Sequence, residues 1–264
     1  MTRAREPIFN VPGVVIAVAA LLAFIHAGRV YLLEDEGYAW VIDLAFIPAR
    51  EISWLVPGVI DGIVRRGPAD LSGSDLDLYR LALDLAGESN PHPWTVLTYA
   101  LLHESWLHLS LNVLMLAALG TPVARRLGSL RFLALLAAGA AAGALMHLLL
   151  HSHSVAALIG ASASVSAAMG AAARFVFDPA ARAGADVPPL TTALRNRSVI
   201  AFTLAWFFAN ALSGLGANPS ALANASIAWE AHIGGFLLGF LAFAWFDRRA
   251  GSKKGPQGDE LGFE

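Results

Sequence analysis

Long apolar runs separated by short polar links dominate this chain. Six of them, at 12–33, 94–119, 130–151, 156–177, 197–216 and 228–247, approximate the ~20 residues that a helix needs to cross the hydrocarbon core. The pattern predicts an all-α, polytopic membrane protein, a bundle of six transmembrane helices. The first run follows Arg3 and Arg5 in the manner of a signal peptide. It exceeds the ~7–15 apolar residues of such a peptide, so a membrane anchor is expected, with Arg29 snorkelling to the interface. The stretch 34–93 mixes apolar patches such as Ala45–Pro48 and Trp54–Val56 with charges and helix breakers. It is expected to form an extracytoplasmic loop lying partly in the interface, where Trp40 and Trp54 suit the headgroup belt. Residues 1–11 are expected as a cytoplasmic N-terminus, 12–249 as the membrane domain, and the Gly- and charge-rich 250–264 as a disordered cytoplasmic tail.

Composition sharpens this picture. Hydrophobic residues make up 56% of the 264 and charged residues 14%, against about 25% charged in ordinary soluble domains. Mean hydropathy is +0.58. Abundant alanine and glycine suit helices that pack closely in lipid. The absence of cysteine excludes disulfides and thiol nucleophiles.

Charge sets the expected orientation. Arg3 and Arg5 precede the first run, and Arg125, Arg126 and Arg131 lie between the second and third. Arg174, Arg182, Arg195 and Arg197 surround the link between the fourth and fifth, and Arg248, Arg249, Lys253 and Lys254 follow the sixth. Those thirteen of the eighteen Lys and Arg fall on one side, so both termini are expected in the cytoplasm. The short links near 151–155 and 216–228 carry neither residue.

Polar side chains inside apolar runs cost free energy unless they find partners or work, and three clusters stand out. Ser162, in Gly160-Ala161-Ser162-Ala163, falls near the extracytoplasmic start of the fourth run, where free N–H groups and the helix dipole favour developing negative charge. Ser164 and Ser166 are rival nucleophiles, and all three could instead be packing serines. His232 lies early in the sixth run, followed by Gly235 and Gly239, a pair that lets another helix approach. If that helix is the fourth, the imidazole can act as base on the serine, its ordinary pKa of about 6.5 being close to working pH.

The third cluster is His103, His108 and Asn112. His108 and Asn112 are four apart and share a helix face, and such side chains can donate to an oxyanion. His103-Glu104 followed by His108 is reminiscent of the zinc-protease pattern, but that pattern needs histidines four apart. Five residues put the second ring roughly 140° round the helix. His147, His151 and His153 could gather a metal at the outer end of the third run, yet no carboxylate or cysteine adjoins them in sequence, and loop or interface residues are expected. No acidic residue lies mid-run, which argues against an aspartyl mechanism or a cation pathway.

Taken together, these residues resemble the rhomboid family of intramembrane serine proteases, from about residue 10 to 250. His103, His108 and Asn112, Gly160 with Ser162, and Ala231, His232, Gly235 and Gly239 match the family's three motifs in order. The resemblance implies a nucleophile at Ser162 and a general base at His232. It further implies oxyanion donors in His108, Asn112 and the Ser162 N–H, with Gly160 shaping the turn and His103 supporting the donors. Substrates would be single-pass membrane proteins cut near the outer end of their helix. Neither cofactor nor metal nor nucleic acid is called for, the bilayer is the surrounding, and the compact size suggests a prokaryotic inner membrane. Two positions depart from the pattern. Ala163 stands where glycine is common, so its methyl is expected to crowd the substrate, and Thr95 replaces the arginine that follows Trp94, which puts a loop anchor in doubt. The alternative is a non-proteolytic relative that binds membrane helices, for which neither Ser162 nor His232 is needed.

Overall fold

A computed structural model describes residues 11–32, 37–66, 74–86, 90–214 and 228–247. The expected cytoplasmic tail 250–264, and all but the last residue of the N-terminal segment 1–11, lie outside the described residues, as does most of the 216–228 link. Six apolar helices are labelled here: α1 Gly13–Leu32, α2 Trp106–Leu127, α3 Ser129–His151, α4 Ser162–Ala173, α5 Arg197–Gly214 and α6 Trp229–Phe246. The chain is an all-α membrane protein, with no strand among the described residues beyond one isolated bridge. Helices α1, α2, α3 and α6 are long and apolar enough to cross a bilayer. Their outer faces carry exposed large apolar residues such as Phe24, Leu149 and Trp245, the surface that lipid would solvate.

Helix α4 is the axis of the bundle. Only 12 residues long, it has ten of them buried, because α3 and α6 enclose it. Gly139 and Gly143 of α3 face Ala167 and Ala163, and Gly235 and Gly239 of α6 face the backbone of the same two alanines. Two small-residue ladders thus clamp one pair of residues on α4. A side chain at any of the four glycines would push the backbones apart, so close packing follows from these residue types.

The second apolar run departs from expectation. The hydropathy pattern predicts one helix over 94–119, but a short helix Thr95–Thr98 passes through a single turn at Tyr99–Leu101 into an extended residue, Leu102. Helix α2 begins only at Trp106, where Ser105 caps it by accepting the His108 N–H, and it continues through a π turn at Leu116–Gly120 to Leu127. His103 therefore sits in the bend before the helix. Off the helix, it is not held roughly 140° round from His108, and the two rings come within 5.2 Å of each other, edge to face.

The 34–93 loop carries helices Gly37–Leu44, Pro48–Ile52, Val59–Arg66 and Ser74–Asp84. Its anchor does not need the missing arginine. Arg50 is fully buried, donating to the carbonyls of Ile42 and Ala45 and pairing with Glu51, and Glu51 in turn accepts from Thr95 Oγ1 and the His92 N–H. Trp94 Nε1 bonds to the Asp43 carbonyl. Thr95 is thus part of the anchor. At the opposite end of the bundle Arg126 joins three elements: it pairs with Asp247 after α6 and donates to the carbonyls of Ala181 and Ala185 in the link between α4 and α5.

Candidate active site

The approach to Ser162 is an extended segment held from two sides. Phe46 and Leu158 exchange backbone hydrogen bonds, Ala49 donates to the Ser154 carbonyl, and Gly160 donates to the Tyr99 carbonyl. Tyr99 is itself buried, with its hydroxyl on the Ala140 carbonyl of α3. This pinned segment delivers Ser162 as the first residue of α4. Ala161, the residue before it, contributes no capping side chain, so the first-turn N–H groups and the helix dipole act at Ser162.

Gly160 is required twice over. Its φ of +120° lies where L-residues are strained, and a Cβ there would come within 2.8 Å of His108 Cε1 and 2.9 Å of Nε2. The same Cβ position is 3.8 Å from Ser162 Oγ, so the His108 ring and the Ser162 hydroxyl border one small space. His103 reaches the same turn: its Nε2 accepts from the Ala161 N–H at 3.4 Å, a long bond. Asn112 is buried and donates from Nδ2 to the His108 carbonyl, one turn back on α2, leaving its second N–H for another acceptor.

From the other side comes α6. Gly235, one turn beyond His232, abuts the Ala163 carbonyl, so the start of α4 packs against the first turns of α6. His232 is half-buried, and its Nδ1 stands 2.7 Å from Oδ1 of Asn210 on α5. The Asn210 amide nitrogen is taken by the Trp206 carbonyl at 2.9 Å, which turns the amide oxygen towards the imidazole. Oxygen can only accept, so the proton of neutral His232 rests on Nδ1 and the Nε2 lone pair is free to act as a base.

Several sequence expectations change here. The Ala163 methyl does not project as a block on a substrate: it is buried against Gly143 of α3, where a second Cβ would collide with it. Ser164 Oγ donates to the Leu136 carbonyl of α3 and Ser166 is buried, which leaves Ser162 the more accessible of the three hydroxyls. Arg29 does not snorkel away. Its Nη2 bonds to the carbonyls of His103 and Glu104, tying α1 to the bend before α2. His26 on α1 packs edge-on against Trp106, ring centres 4.6 Å apart, beneath that bend. Glu230, at the start of α6, is buried at 3% exposure with its carboxylate on His147 and His151. Sequence reading missed Asn210 altogether. It is a polar residue in the fifth apolar run, the signal that singled out His232, but nothing local says that its partner lies on the next helix.

Residues 90–249 match the family model of the Rhomboid domain. The match spans more than half of the 264 residues and takes in α2 to α6 with every candidate side chain. Compared with curated proteins, the chain has no match.

Proposed function

The chain belongs to the rhomboid family, and from that membership we propose that it is an intramembrane serine endopeptidase acting through Ser162 and His232. The observation that supports the reading is the packing of the start of α4 against the first turns of α6, where Gly235 abuts the Ala163 carbonyl. A partly accessible serine opens α4, and α6 brings up an imidazole whose Nδ1 is held by Asn210. A helix-binding relative without chemistry would need neither the free Nε2 nor the hydroxyl.

In this reaction the Ser162 Oγ–H gives its proton to His232 Nε2 as the oxygen attacks the scissile carbonyl carbon. The carbonyl oxygen takes the electron pair, and the oxyanion is held by the Ser162 N–H at the α4 N-terminus, His108 and the second N–H of Asn112. Collapse breaks the C–N bond, and His232 returns its proton to the leaving amine. Water then repeats the cycle on the acyl-enzyme, with His232 again as base. Asn210 accepts from Nδ1–H throughout and steadies the imidazolium. His103 and Gly160 act earlier, by setting the turn that presents Ser162.

The substrates we propose are single-pass membrane proteins. A transmembrane helix hides its carbonyls in hydrogen bonds and must unwind before attack, which favours a cut near the outer end of the span where water enters. Six crossings, with α4 and α5 joining α1, α2, α3 and α6, both termini in the cytoplasm and a prokaryotic inner membrane form part of the same reading. Support for the shared inner face comes from Arg126, which gathers the end of α2, the 179–185 link and Asp247. The test is cleavage of a model single-span substrate by purified protein in proteoliposomes. Wild type is expected to cut once near the outer end, with Ser162→Ala and His232→Ala both inactive but folded. Undiminished cutting by either variant would end the dyad.

A further inference from the structure

Two histidines on α3 and a carboxylate on α6 converge at the outer end of the bundle, away from the proposed catalytic groups in role but beside them in space. His147 and His151 are four apart on α3, so their rings lie one turn above the other on one face, centres 5.2 Å apart. Both aim Nδ1 at the same oxygen of Glu230, at 2.6 Å for His147 and 3.3 Å for His151. One ligand atom from each residue falls within 4.8 Å of the others. His147 and Glu230 are buried, whereas the His151 side chain is 48% exposed and opens a path from the surface.

From this convergence we propose that His147, His151 and Glu230 bind one divalent transition-metal ion of the zinc class.

The donor set chooses the ion. Two imidazoles and one carboxylate suit zinc or cobalt, whereas calcium and magnesium call for mostly oxygen ligands. Bonds of about 2.0–2.2 Å in a tetrahedral shell put ligand atoms roughly 3–3.5 Å apart, so the present spacings need only small side-chain rotations. Histidines four apart on one helix are the spacing that lets two rings meet one metal. The fourth position would face the surface through the His151 side and hold water. Without an ion, the cluster is a hydrogen-bonded strut in which buried His147 keeps Nε2 without a partner.

The bound ion would clamp α3 to the first turn of α6, two residues before His232. Its role is therefore structural: it stiffens the helix that carries the base and takes no part in peptide hydrolysis. Metal binding does not depend on the protease reading, and the experiment keeps the two apart by using full-length Ser162→Ala protein throughout. Metal-stripped protein in detergent is titrated with Zn2+ by calorimetry and with Co2+ by visible absorption. The expected result is one ion per chain with Kd in the micromolar range or tighter, a four-coordinate cobalt spectrum, and a thermal midpoint raised by zinc. His151→Ala, which removes the exposed ligand and least endangers folding, is expected to abolish all three. His153→Ala on the adjoining turn is expected to keep them. No binding by the parent, undiminished binding by folded His151→Ala, or equal loss in His153→Ala would each overturn the site and leave the strut.

Discussion

His232 Nδ1 and Asn210 Oδ1 stand 2.7 Å apart, across the seam between α6 and α5, and the bond decides which nitrogen of the imidazole can accept a proton. In the proposed dyad Asn210 would be the third group behind serine and histidine, a neutral amide instead of a carboxylate. Because the Asn210 nitrogen is committed to Trp206, the amide has one orientation that satisfies both ends.

Removing that oxygen should loosen the ring and its tautomer without touching the substrate. Asn210→Ala is expected to lower kcat by about 2- to 13-fold, the equivalent of one neutral hydrogen bond of roughly 0.5–1.5 kcal/mol, with KM unchanged. Steady-state kinetics on a quenched transmembrane peptide checks this. A change confined to KM would move Asn210 from orienting the base to binding substrate.

The three serines of α4 should separate by chemistry. A fluorophosphonate probe is expected to label wild type and Ser164→Ala alike and to miss Ser162→Ala, since Ser164 Oγ is spent on the Leu136 carbonyl. Loss of that bond should cost Ser164→Ala about 1 kcal/mol of stability at unchanged labelling. Gel fluorescence with a thermal melt reads both, and labelled Ser162→Ala would name another nucleophile.

Packing around α4 makes a prediction about glycines. A Cβ at Gly239 would drive into the backbone of Ala167, whereas one at Gly28 on α1 meets nothing within 4 Å. Gly239→Ala is expected to destabilise the protein by at least about 1–3 kcal/mol, the range for overpacked cores, and Gly28→Ala to leave the melting temperature unchanged or slightly raised. Differential scanning fluorimetry in detergent compares them. Equal melting of the two would mean that α4 and α6 are not in contact at Ala167.

Removal of metal should leave the chemistry in place. The proposed nucleophile, base and oxyanion donors are all protein groups, so chelator-treated wild type is expected to keep cutting a model substrate while its thermal midpoint falls. Abolition by chelator, restored by zinc, would make the ion part of the reaction.

Much of this molecule is legible along the chain. The bilayer forces each crossing to be a long apolar stretch with its backbone bonds closed internally, so α1, α3, α5 and α6 stand where the hydropathy pattern puts them, whereas α2 starts twelve residues later than its apolar run and α4 is shorter than its own. Small residues record close approach equally plainly: Gly235 and Gly239 announce a helix neighbour before that neighbour is known. His103, His108, Asn112, Ser162 and His232 stand out because polar groups in apolar runs need a reason to be there.

Contacts between distant residues are another matter. Asn210 is 22 residues from His232, and Glu230 is 83 from His147. The second pairing exists because glycines and alanines let α3, α4 and α6 lie almost backbone to backbone, which sets the rotation of these helices about their axes and with it the side of α6 that meets α5. A hydropathy profile has no term for that rotation. It cannot separate a carboxylate at a membrane surface from Glu230 folded inward between two imidazoles, nor Arg29 reaching for headgroups from Arg29 closing on the His103 and Glu104 carbonyls. The bend before Trp106 escapes it for a related reason: Leu102 and His103 are as apolar or as buried as helix residues, and only the Ser105 cap and the strapped carbonyls stop the helix from starting earlier.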